Sequence, residues 1–313
     1  MKQNKYYTGY IAFEEECQIP LVGGRGWNFV FEKPRKSGLC LGSKEVVIYS
    51  RSLSSAQNAF SLLLCGVSLT SGDASFGELG DIVPEDDSER RGVSHGKLGA
   101  MWDQKFMSCS GIPSACVIAA KASHKKELQY ALVKFRLATL MYSNFHVDLD
   151  PSNHAYGHIG VTSDIVMHVQ LASAIIAAYS VIEEIGLEVR ASRERPSLKE
   201  GEWNPVVRRD LEERLIKARY PMGRGVYWMA RGKKTNVQRA KQIAMISRSL
   251  YADGKYVRDG MVDVCDALLQ ASYLRSKVAS HKMGKLAKSL TGIDSENVRN
   301  LARVLLLAKL GCL

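Results

Sequence analysis

The chain has 313 residues, of which 46% are hydrophobic, and this length allows one large or two ordinary domains with a sizeable core. No run approaches the roughly 18 consecutive apolar residues of a membrane helix, and residues 1–18 lack the apolar region of a signal peptide. Seven cysteines, an odd number without a C-x-x-C pair, argue against a disulfide scaffold or zinc ribbon and favour reduced thiols, so a cytoplasmic location is expected.

The first part of the chain is predicted to contain short strands and loops. Four stretches are rich in β-branched and aromatic residues and are predicted strands: 6–13, 27–32, 44–50 and 114–121. A helix is predicted over 54–69. The polar, glycine-rich stretch 71–97 is predicted to be a long loop or lid. The glycines of VGGRGW (22–27) match no nucleotide-binding motif and are interpreted as turns.

The remainder of the chain is predicted to be helical. The segment 123–145 opens with Ser123 as a helix cap and keeps a helical apolar period. The segment 162–190 is apolar on nearly every side, so we expect a central, buried helix. Further helices are predicted at 205–220, with Pro205 at its start, and at 235–252, 259–281 and 294–311. Little strand signal follows residue 190.

These segments predict an α+β chain of two domains. An N-terminal β-rich or α/β domain covers 1–122, and an all-α helical bundle covers 123–313. The charge is uneven: residues 1–150 carry 17 basic and 16 acidic residues, net +1, whereas residues 151–313 carry 26 and 16, net +10. A basic half attracts polyanions, and nucleic acid is the usual one.

The stretch LRSKVASH places Arg275 and His281 at the end of a predicted helix. Arg275 continues a line of residues at spacings of three and four: Met261, Cys265, Leu268 and Ser272. An arginine on this line needs an anionic partner, either a carboxylate or the phosphate of a ligand. RNA cleavage without metal needs proton transfer near neutral pH, which a histidine can supply. It also needs a fixed cation beside the phosphate oxygens, which a guanidinium suits.

LRSKVASH resembles the R-x(4–6)-H motif of the HEPN superfamily, the all-helical domains of many prokaryotic ribonucleases in toxin and antiphage systems. Ser276 matches the small polar residue that usually follows the arginine. The motif helix is the fourth predicted helix from residue 162, as is usual in the family, and 175–190 resembles the first helix, with its acidic end. The resemblance covers about 162–313, and the stretch before the motif helix is longer than in the smallest members.

The resemblance implies a metal-independent endoribonuclease without a cofactor. Arg275 and His281 would be the catalytic residues, contributed by both chains of a homodimer to one cleft, with Ser276 in support. The implied setting is antiphage defence or a toxin system, with RNA as substrate, an activator or antitoxin as a further partner, and no membrane. The N-terminal domain would then sense a trigger or restrain the nuclease.

Two carboxylates near the end of the apolar helix are candidate supporting residues, Glu183 and Glu184. Glu183 continues the line of Ile165, Val169, Ala172 and Ile176. A carboxylate on such a line needs a cation, and Arg275 is the candidate. The pair would either hold the arginine in position or be purely structural.

Basic residues are mixed with aromatic ones between 202 and 241, a composition typical of surfaces that hold phosphates and stack unpaired bases. The expected RNA-binding residues are Lys277, Lys282, Arg224, Arg231, Lys233 and Lys234. We interpret the aromatic residues Tyr220, Tyr227 and Trp228 as core residues.

Two alternatives stay open. One is a non-catalytic HEPN-like module that binds RNA or a protein. The other is a metal-dependent enzyme built on the cluster of His146, Asp148, Asp150, His154 and His158. This cluster lacks the spacing of known metal motifs, and DPSN within it is ordinary turn chemistry, so no metal site is expected. His168 is interpreted as a core histidine.

Overall fold

The computed structural model describes residues 3–11, 22–32, 44–72, 83–84, 111–142, 165–230, 243, 258–279 and 290–313. These residues form a mixed α+β structure, which confirms the predicted class. The chain divides into two compact units, unit 1 (residues 1–136) and unit 2 (residues 137–313). The division lies inside a helix, whereas the sequence placed the domain boundary between residues 122 and 123.

Among the described residues of unit 1, five strands form an antiparallel sheet in the order β2-β3-β4-β1-β5. The strands are β1 (Asn4–Ile11), β2 (Val22–Gly24), β3 (Trp27–Glu32), β4 (Lys44–Ser50) and β5 (Val83–Pro84). The strands predicted at 27–32 and 44–50 are confirmed, as is the described part of 6–13. The stretch 71–97, expected to be a loop, lies mostly outside the described residues, but β5 within it pairs with β1.

One face of this sheet is apolar and buried. Trp27, Phe29 and Ile48 are each at most 1% exposed, and the rings of Trp27 and Phe29 lie 4.6 Å apart. Trp27 and Phe29 share a face because side chains two residues apart along a strand point the same way, and Ile48 is the cross-strand partner of Phe29.

Gly26, at φ +85°, occupies the left-handed position of the turn between β2 and β3, so the predicted turn is confirmed there. Gly23 and Gly24 lie in β2, so their assignment to a turn is wrong.

Helix α1 (Leu53–Ser71) packs against β4 and confirms the helix predicted at 54–69. The Ser52 hydroxyl accepts a hydrogen bond from the Ser55 N–H at 3.2 Å, which caps the helix. Gly72, at φ +75°, follows its last turn in the left-handed conformation that commonly ends a helix.

The segment 114–121, predicted as a strand, belongs instead to helix α2 (Gly111–Ser123). This helix packs closely on α1: a Cβ atom added at Gly66 would lie 2.6 Å from the carbonyl oxygen of Ala115. The prediction is wrong because a short apolar run does not by itself distinguish a strand from a buried helix. The small residues around Val117 and Ile118 serve the close approach of two helices.

Helix α3 (Lys126–Tyr142) confirms the helical prediction for 123–145, but Ser123 does not cap it. Ser123 ends α2 instead. Its hydroxyl donates to the carbonyl of Ala120 at 2.6 Å and accepts the Arg25 N–H at 2.9 Å. The predicted cap is wrong because the serine hydroxyl bonds back to the preceding turn.

The described residues of unit 2 form four α-helices and four short strands: α4 (Ile165–Glu184), β6 (Leu198–Lys199), β7 (Glu202–Trp203), α5 (Pro205–Lys217), β8 (Val226–Ala230), β9 (Arg258–Val262), α6 (Val264–Tyr273) and α7 (Gly292–Leu310). β6 pairs with β7, and β8 pairs with β9. The expectation of little strand after residue 190 is therefore wrong, and so is the helical start of 259–281. Pairing of β8 with β9 joins segments far apart in the chain, which a local pattern does not reveal.

Helix α4 is shorter and less buried than its composition suggested. It ends at Glu184, not at residue 190. Val169 is 56% exposed and Ile176 is 38% exposed, so the face that carries them is not in the core. The expected burial on every side is wrong, although Leu171, Ile175 and the other side of the helix are fully buried.

Helix α7 confirms the helix predicted at 294–311 and packs against α4. The Asp294 carboxylate accepts the N–H of Thr291 at 2.9 Å and its hydroxyl at 3.0 Å, which fixes the first turn. Asn297, 2% exposed, accepts the Met229 N–H and donates to the Met229 carbonyl, both at 2.8 Å. Its side chain thus bonds to β8 as a neighbouring strand would.

The helix predicted at 235–252 lies outside the described residues, except for Ile243, which is helical and buried. His168 lies in α4, but its side chain is outside the described part of the chain. Where the structure describes helices, none has the length and apolar character needed to cross a membrane.

Candidate functional site

Helix α6 precedes Arg275, and its N-terminus is held by side chains on both sides. The Asp263 carboxylate caps it by accepting the N–H groups of Cys265 at 2.9 Å and Asp266 at 3.4 Å. The buried Asp266 in turn accepts the indole N–H of Trp203 in β7 at 2.7 Å. These contacts fix the axis of α6 and hence the place where the motif begins.

The motif itself begins in a π-helical turn, Leu274–Ala279, which continues α6 and contains Arg275. The Ser276 hydroxyl donates to the carbonyl of Ser272 at 2.6 Å. A serine that bonds to the carbonyl four residues earlier competes with the regular backbone ladder and often bends a helix. π-helical turns are rare in proteins, and those that occur often lie at functional sites. Ser276 therefore has a local structural role next to Arg275.

The predicted line of residues toward Arg275 holds in part. Cys265 and Leu268 are fully buried in α6. Met261 lies in β9 and is 53% exposed, so its place on the line is wrong, because the helix begins after it. The Arg275 side chain is 40% exposed, which places it at the border of the core. A guanidinium at that position is accessible to a ligand.

The guanidinium of Arg275 forms an ion pair with α4. Its Nη2 lies 3.1 Å from Oε1 of Glu183, whose side chain is 38% exposed. The predicted pairing of these two residues is confirmed. An ion pair this exposed contributes about 0–1 kcal/mol to stability, so its main effect is on the orientation of the arginine. A guanidinium carries five N–H donors, and those not directed at Glu183 can meet an anion.

Tyr179 forms a second side of the arginine site. It is 3% exposed, and Cζ of Arg275 lies 6.0 Å from the centroid of its ring. Burial raises the pKa of Tyr179, a hydrogen bond from Ser272 opposes this, and the Glu183 charge adds to the rise. Sequence reasoning missed Tyr179, although its position four residues before Glu183 places both on one face of α4.

The end of α4 that carries Glu183 is tied to α5. Gly186, at φ +74°, closes the helix, and its N–H donates to the Glu183 carbonyl at 3.0 Å. Arg214 donates to the carbonyls of Gly186 at 2.7 Å and Glu188 at 2.9 Å, while it pairs with Asp210 at 2.8 Å. These bonds hold the carboxylate of Glu183 within reach of the motif.

Several other predicted site residues are only partly described. Glu184 follows Glu183 and is half-buried. The ion pair with Arg275 is made by Glu183. Five of the predicted site residues lie outside the described part of the chain: His281, Lys282, Arg231, Lys233 and Lys234. Lys277 lies in the π-helical turn, but its side chain is not among those described. The structure thus brings Glu183 and Arg275 into contact, and Ser276 follows Arg275 in the π-helical turn.

The aromatic residues around Arg224 fall into two groups. Tyr220 is 3% and Trp228 is 1% exposed, which confirms both as core residues. Tyr227 is 68% exposed, so its assignment to the core is wrong. The reason is the alternation along β8, which buries Val226 and Trp228 and turns Tyr227 outward. Arg224 is exposed, as an RNA-binding residue must be.

Within the described ranges, no three His, Cys, Asp or Glu side chains are grouped as metal ligands would be. The alternative metal cluster of His146, Asp148, Asp150, His154 and His158 lies outside those ranges. Comparison with known proteins gives no relative: no family model, no curated protein and no solved structure matches the chain.

Proposed function

We propose that this chain is a metal-independent endoribonuclease of the HEPN type. The observation that carries the proposal is Arg275, which is 40% exposed and oriented by Glu183 and Tyr179 on a π-helical turn at the start of the motif. A guanidinium held from two sides, yet accessible, suits the binding of a phosphate whose charge grows during a reaction. The role of His281 comes from its place in the motif, since this residue lies outside the described part of the chain.

The chemistry would be a transesterification within the RNA. The 2′-hydroxyl loses its proton and attacks the adjacent phosphorus, and the 5′-oxygen leaves with a proton. The products carry a 2′,3′-cyclic phosphate and a 5′-hydroxyl. His281 would accept or donate one of the two protons, because imidazole titrates near neutral pH. Arg275 would stabilise the charge on the non-bridging phosphate oxygens.

The resemblance extends the proposal to a homodimer. Two copies of His281, one from each chain, would then serve both proton transfers in a shared cleft. The N-terminal domain would bind an activator or inhibitor in an antiphage or toxin system. The homodimer rests on the likeness of LRSKVASH to the family motif, and the role of the N-terminal domain rests on its separate composition.

Cleavage of mixed RNA in the presence of EDTA tests the proposal. Wild type should cut and leave cyclic phosphate and 5′-hydroxyl ends. His281→Ala should lose about 10²–10⁴-fold of the rate, the usual contribution of a general acid or base. Arg275→Lys keeps the charge but loses the planar fork, so a loss of about 10²-fold or more is expected. Arg193, exposed in the segment after α4, provides the matched control Arg193→Ala.

Three results would overturn the proposal: cleavage that EDTA abolishes, products without cyclic phosphate, or equal rates for wild type and both motif variants. If neither wild type nor the variants cut RNA, but all bind it equally, the non-catalytic binding module replaces the nuclease.

A further inference from the structure

Unit 2 displays exposed apolar and cationic side chains between the end of α5 and β8, and on the paired strand β9. Tyr227 is 68%, Met261 53% and Met222 39% exposed. Arg219 and Arg224 are exposed beside them in the chain. We name these five residues the Tyr227 platform. Large exposed apolar side chains next to cations are typical of binding surfaces.

The apolar part of the platform lies on the outer face of the β8–β9 ribbon. Tyr227 and Met261 are direct cross-strand partners, while Val226, Trp228 and Val262 are buried on the other face. Gly225 leaves space for this pair: a Cβ atom there would lie 3.1 Å from Cε of Met261. The end of the methionine side chain therefore lies over Gly225, two residues before Tyr227 on the same face of the ribbon.

The cationic part of the platform is held by a closed turn. The buried Tyr220 donates its hydroxyl hydrogen to the carbonyl of Arg224 at 2.7 Å, and the Arg224 N–H donates to the carbonyl of Pro221 at 3.0 Å. Arg219 and Arg224 thus flank a short, fixed turn. The chain from Lys217 to Tyr227 contains three basic residues and no Asp or Glu.

Arg219 occupies a backbone position that favours glycine. It has φ +62° and follows the end of α5. The Arg219 N–H donates to the Ile216 carbonyl at 2.9 Å, and the Tyr220 N–H donates to the Leu215 carbonyl at 3.0 Å. This is the Schellman pattern, in which glycine is the usual residue. A strained arginine at an exposed position points to a role for its side chain.

We propose that the Tyr227 platform binds single-stranded RNA, with one base stacked on the Tyr227 ring and adjacent phosphates on Arg219 and Arg224. This inference rests on RNA being the substrate of the proposed nuclease. It adds that this RNA is single-stranded and that it contacts the protein at a second place besides Arg275. An exposed aromatic ring can stack on any unpaired base, whereas the bases of a duplex are already stacked on each other. Met261, the exposed cross-strand partner of Tyr227, adds apolar surface on the same face of the ribbon.

Binding of a short, unstructured 2′-O-methyl oligoribonucleotide tests the platform. This probe has no 2′-hydroxyl to attack the phosphate, so it reports binding whether or not the protein is a nuclease. Tyr227→Ala should weaken binding at least about fivefold, the lower end of what one stacked base contributes. Tyr227→Phe keeps the ring and should bind as wild type does. Tyr130, 60% exposed on α3, provides the control Tyr130→Ala, which should also bind as wild type does.

The salt dependence of binding tests the two arginines. Each phosphate contact to single-stranded RNA contributes about 0.7 to the slope of log K against log salt. Arg224→Ala and Arg219→Gly should therefore each reduce the slope by about 0.7, whereas Arg193→Ala should leave it unchanged. A base-paired probe of the same 2′-O-methyl chemistry should bind more weakly than the single strand.

The platform is refuted if Tyr227→Ala binds as tightly as Tyr130→Ala, if the duplex probe binds as tightly as the single strand, or if wild type does not bind the probe. The outcome is separate from that of the nuclease. Cleavage that depends on Arg275, together with unchanged binding by Tyr227→Ala, would remove the platform and keep the nuclease. Weaker binding by Tyr227→Ala without any cleavage by wild type would do the reverse.

Discussion

Arg275 and Glu183 lie on separate helical segments of unit 2, and their side chains meet with 3.1 Å between Nη2 and Oε1. The ring of Tyr179 lies beneath the same guanidinium, 6.0 Å from Cζ to the ring centroid. The arginine is thus constrained from two directions, both provided by α4. Its orientation, more than its contribution to stability, is what the arrangement determines.

Removal of the Glu183 carboxylate should affect catalysis and not stability. In Glu183→Ala the guanidinium loses one of its two constraints, so we expect RNA cleavage to fall about ten- to a hundredfold, as misplaced catalytic groups do. The free energy of unfolding should change by less than about 1 kcal/mol, because the pair is exposed. Cleavage rates and urea denaturation measure the two effects.

Glu212 offers a matched control, since it pairs with Arg208 at 2.8 Å at a similar exposure, 34% and 39%. Glu212→Ala should leave cleavage unchanged. If Glu183→Ala cleaves RNA as fast as Glu212→Ala does, the ion pair of Arg275 is purely structural.

Asp294 should make stability depend on pH. Burial raises its pKa from 3.8 to about 6, although hydrogen bonds from Thr291 partly oppose the rise. Between these pH values the folded chain holds the proton more tightly than the unfolded chain does. Stability from the protonated carboxyl is therefore complete below about pH 4 and is lost as the pH rises toward 6, by on the order of 3 kcal/mol.

Asp294→Asn removes this titration. The urea midpoints of wild type and Asp294→Asn are measured from pH 4 to pH 7. As the pH rises, the midpoint of wild type should fall relative to that of the variant. A difference that stays constant over this range would show that Asp294 does not titrate there.

Arg219→Gly should stabilise the fold. Arginine at φ +62° carries a steric penalty that glycine does not, so the free energy of unfolding should rise by about 1 kcal/mol. Arg209, exposed in the middle of α5, gives the opposite control: Arg209→Gly should lower it by about 1 kcal/mol. Urea denaturation midpoints of the two variants and wild type measure these changes. A loss of stability in Arg219→Gly would mean that the arginine side chain makes stabilising contacts.

Asn297→Ala should destabilise unit 2. The variant loses both 2.8 Å hydrogen bonds to Met229 and leaves these backbone groups without their partner, at a cost of about 2–4 kcal/mol. Asn300, half-buried on the same helix and bonded to Glu296 at 2.8 Å, provides the control. Asn300→Ala should cost less than about 1 kcal/mol in urea denaturation. Equal losses in the two variants would contradict the role given to Asn297.

Gly66→Ala should loosen the contact of α1 with α2. The new methyl group would lie 2.6 Å from the Ala115 carbonyl oxygen, a backbone atom that cannot turn aside as a flexible side chain can. We expect a loss of about 1–3 kcal/mol in the stability of unit 1. An unchanged urea midpoint would show that the two helices separate without cost.

The elements that sequence reasoning found are those with local signals. α5 begins at Pro205 after the capping side chain of Asn204, and β3 is rich in aromatic and β-branched residues. α2 was missed because its apolar run is short. β8 and β9 were missed because each is stabilised by a partner distant in the chain, and no residue within either strand reveals that partner.

In the candidate site, too, sequence reasoning found the features with local signals and missed the others. Glu183 was matched to Arg275 because a charge on an apolar helix line was expected to need a counter-charge. The pairing is confirmed, although that line lies on the exposed face of α4. No spacing rule predicts the π-helical turn or the hydrogen bond of Ser276 to Ser272 that accompanies it. Tyr227 was assigned to the core because its neighbours are core residues, and its exposure follows only once the strand is known.

The amide of Asn297 also determines what β8 can assemble with. An open strand edge offers unpaired N–H and C=O groups, and a strand from another chain can add to it. Asn297 binds both backbone groups of Met229, in the second half of Val226–Ala230, as one peptide unit of a further strand would. A single side chain of α7 thus occupies the place on this edge where another strand would pair with Met229.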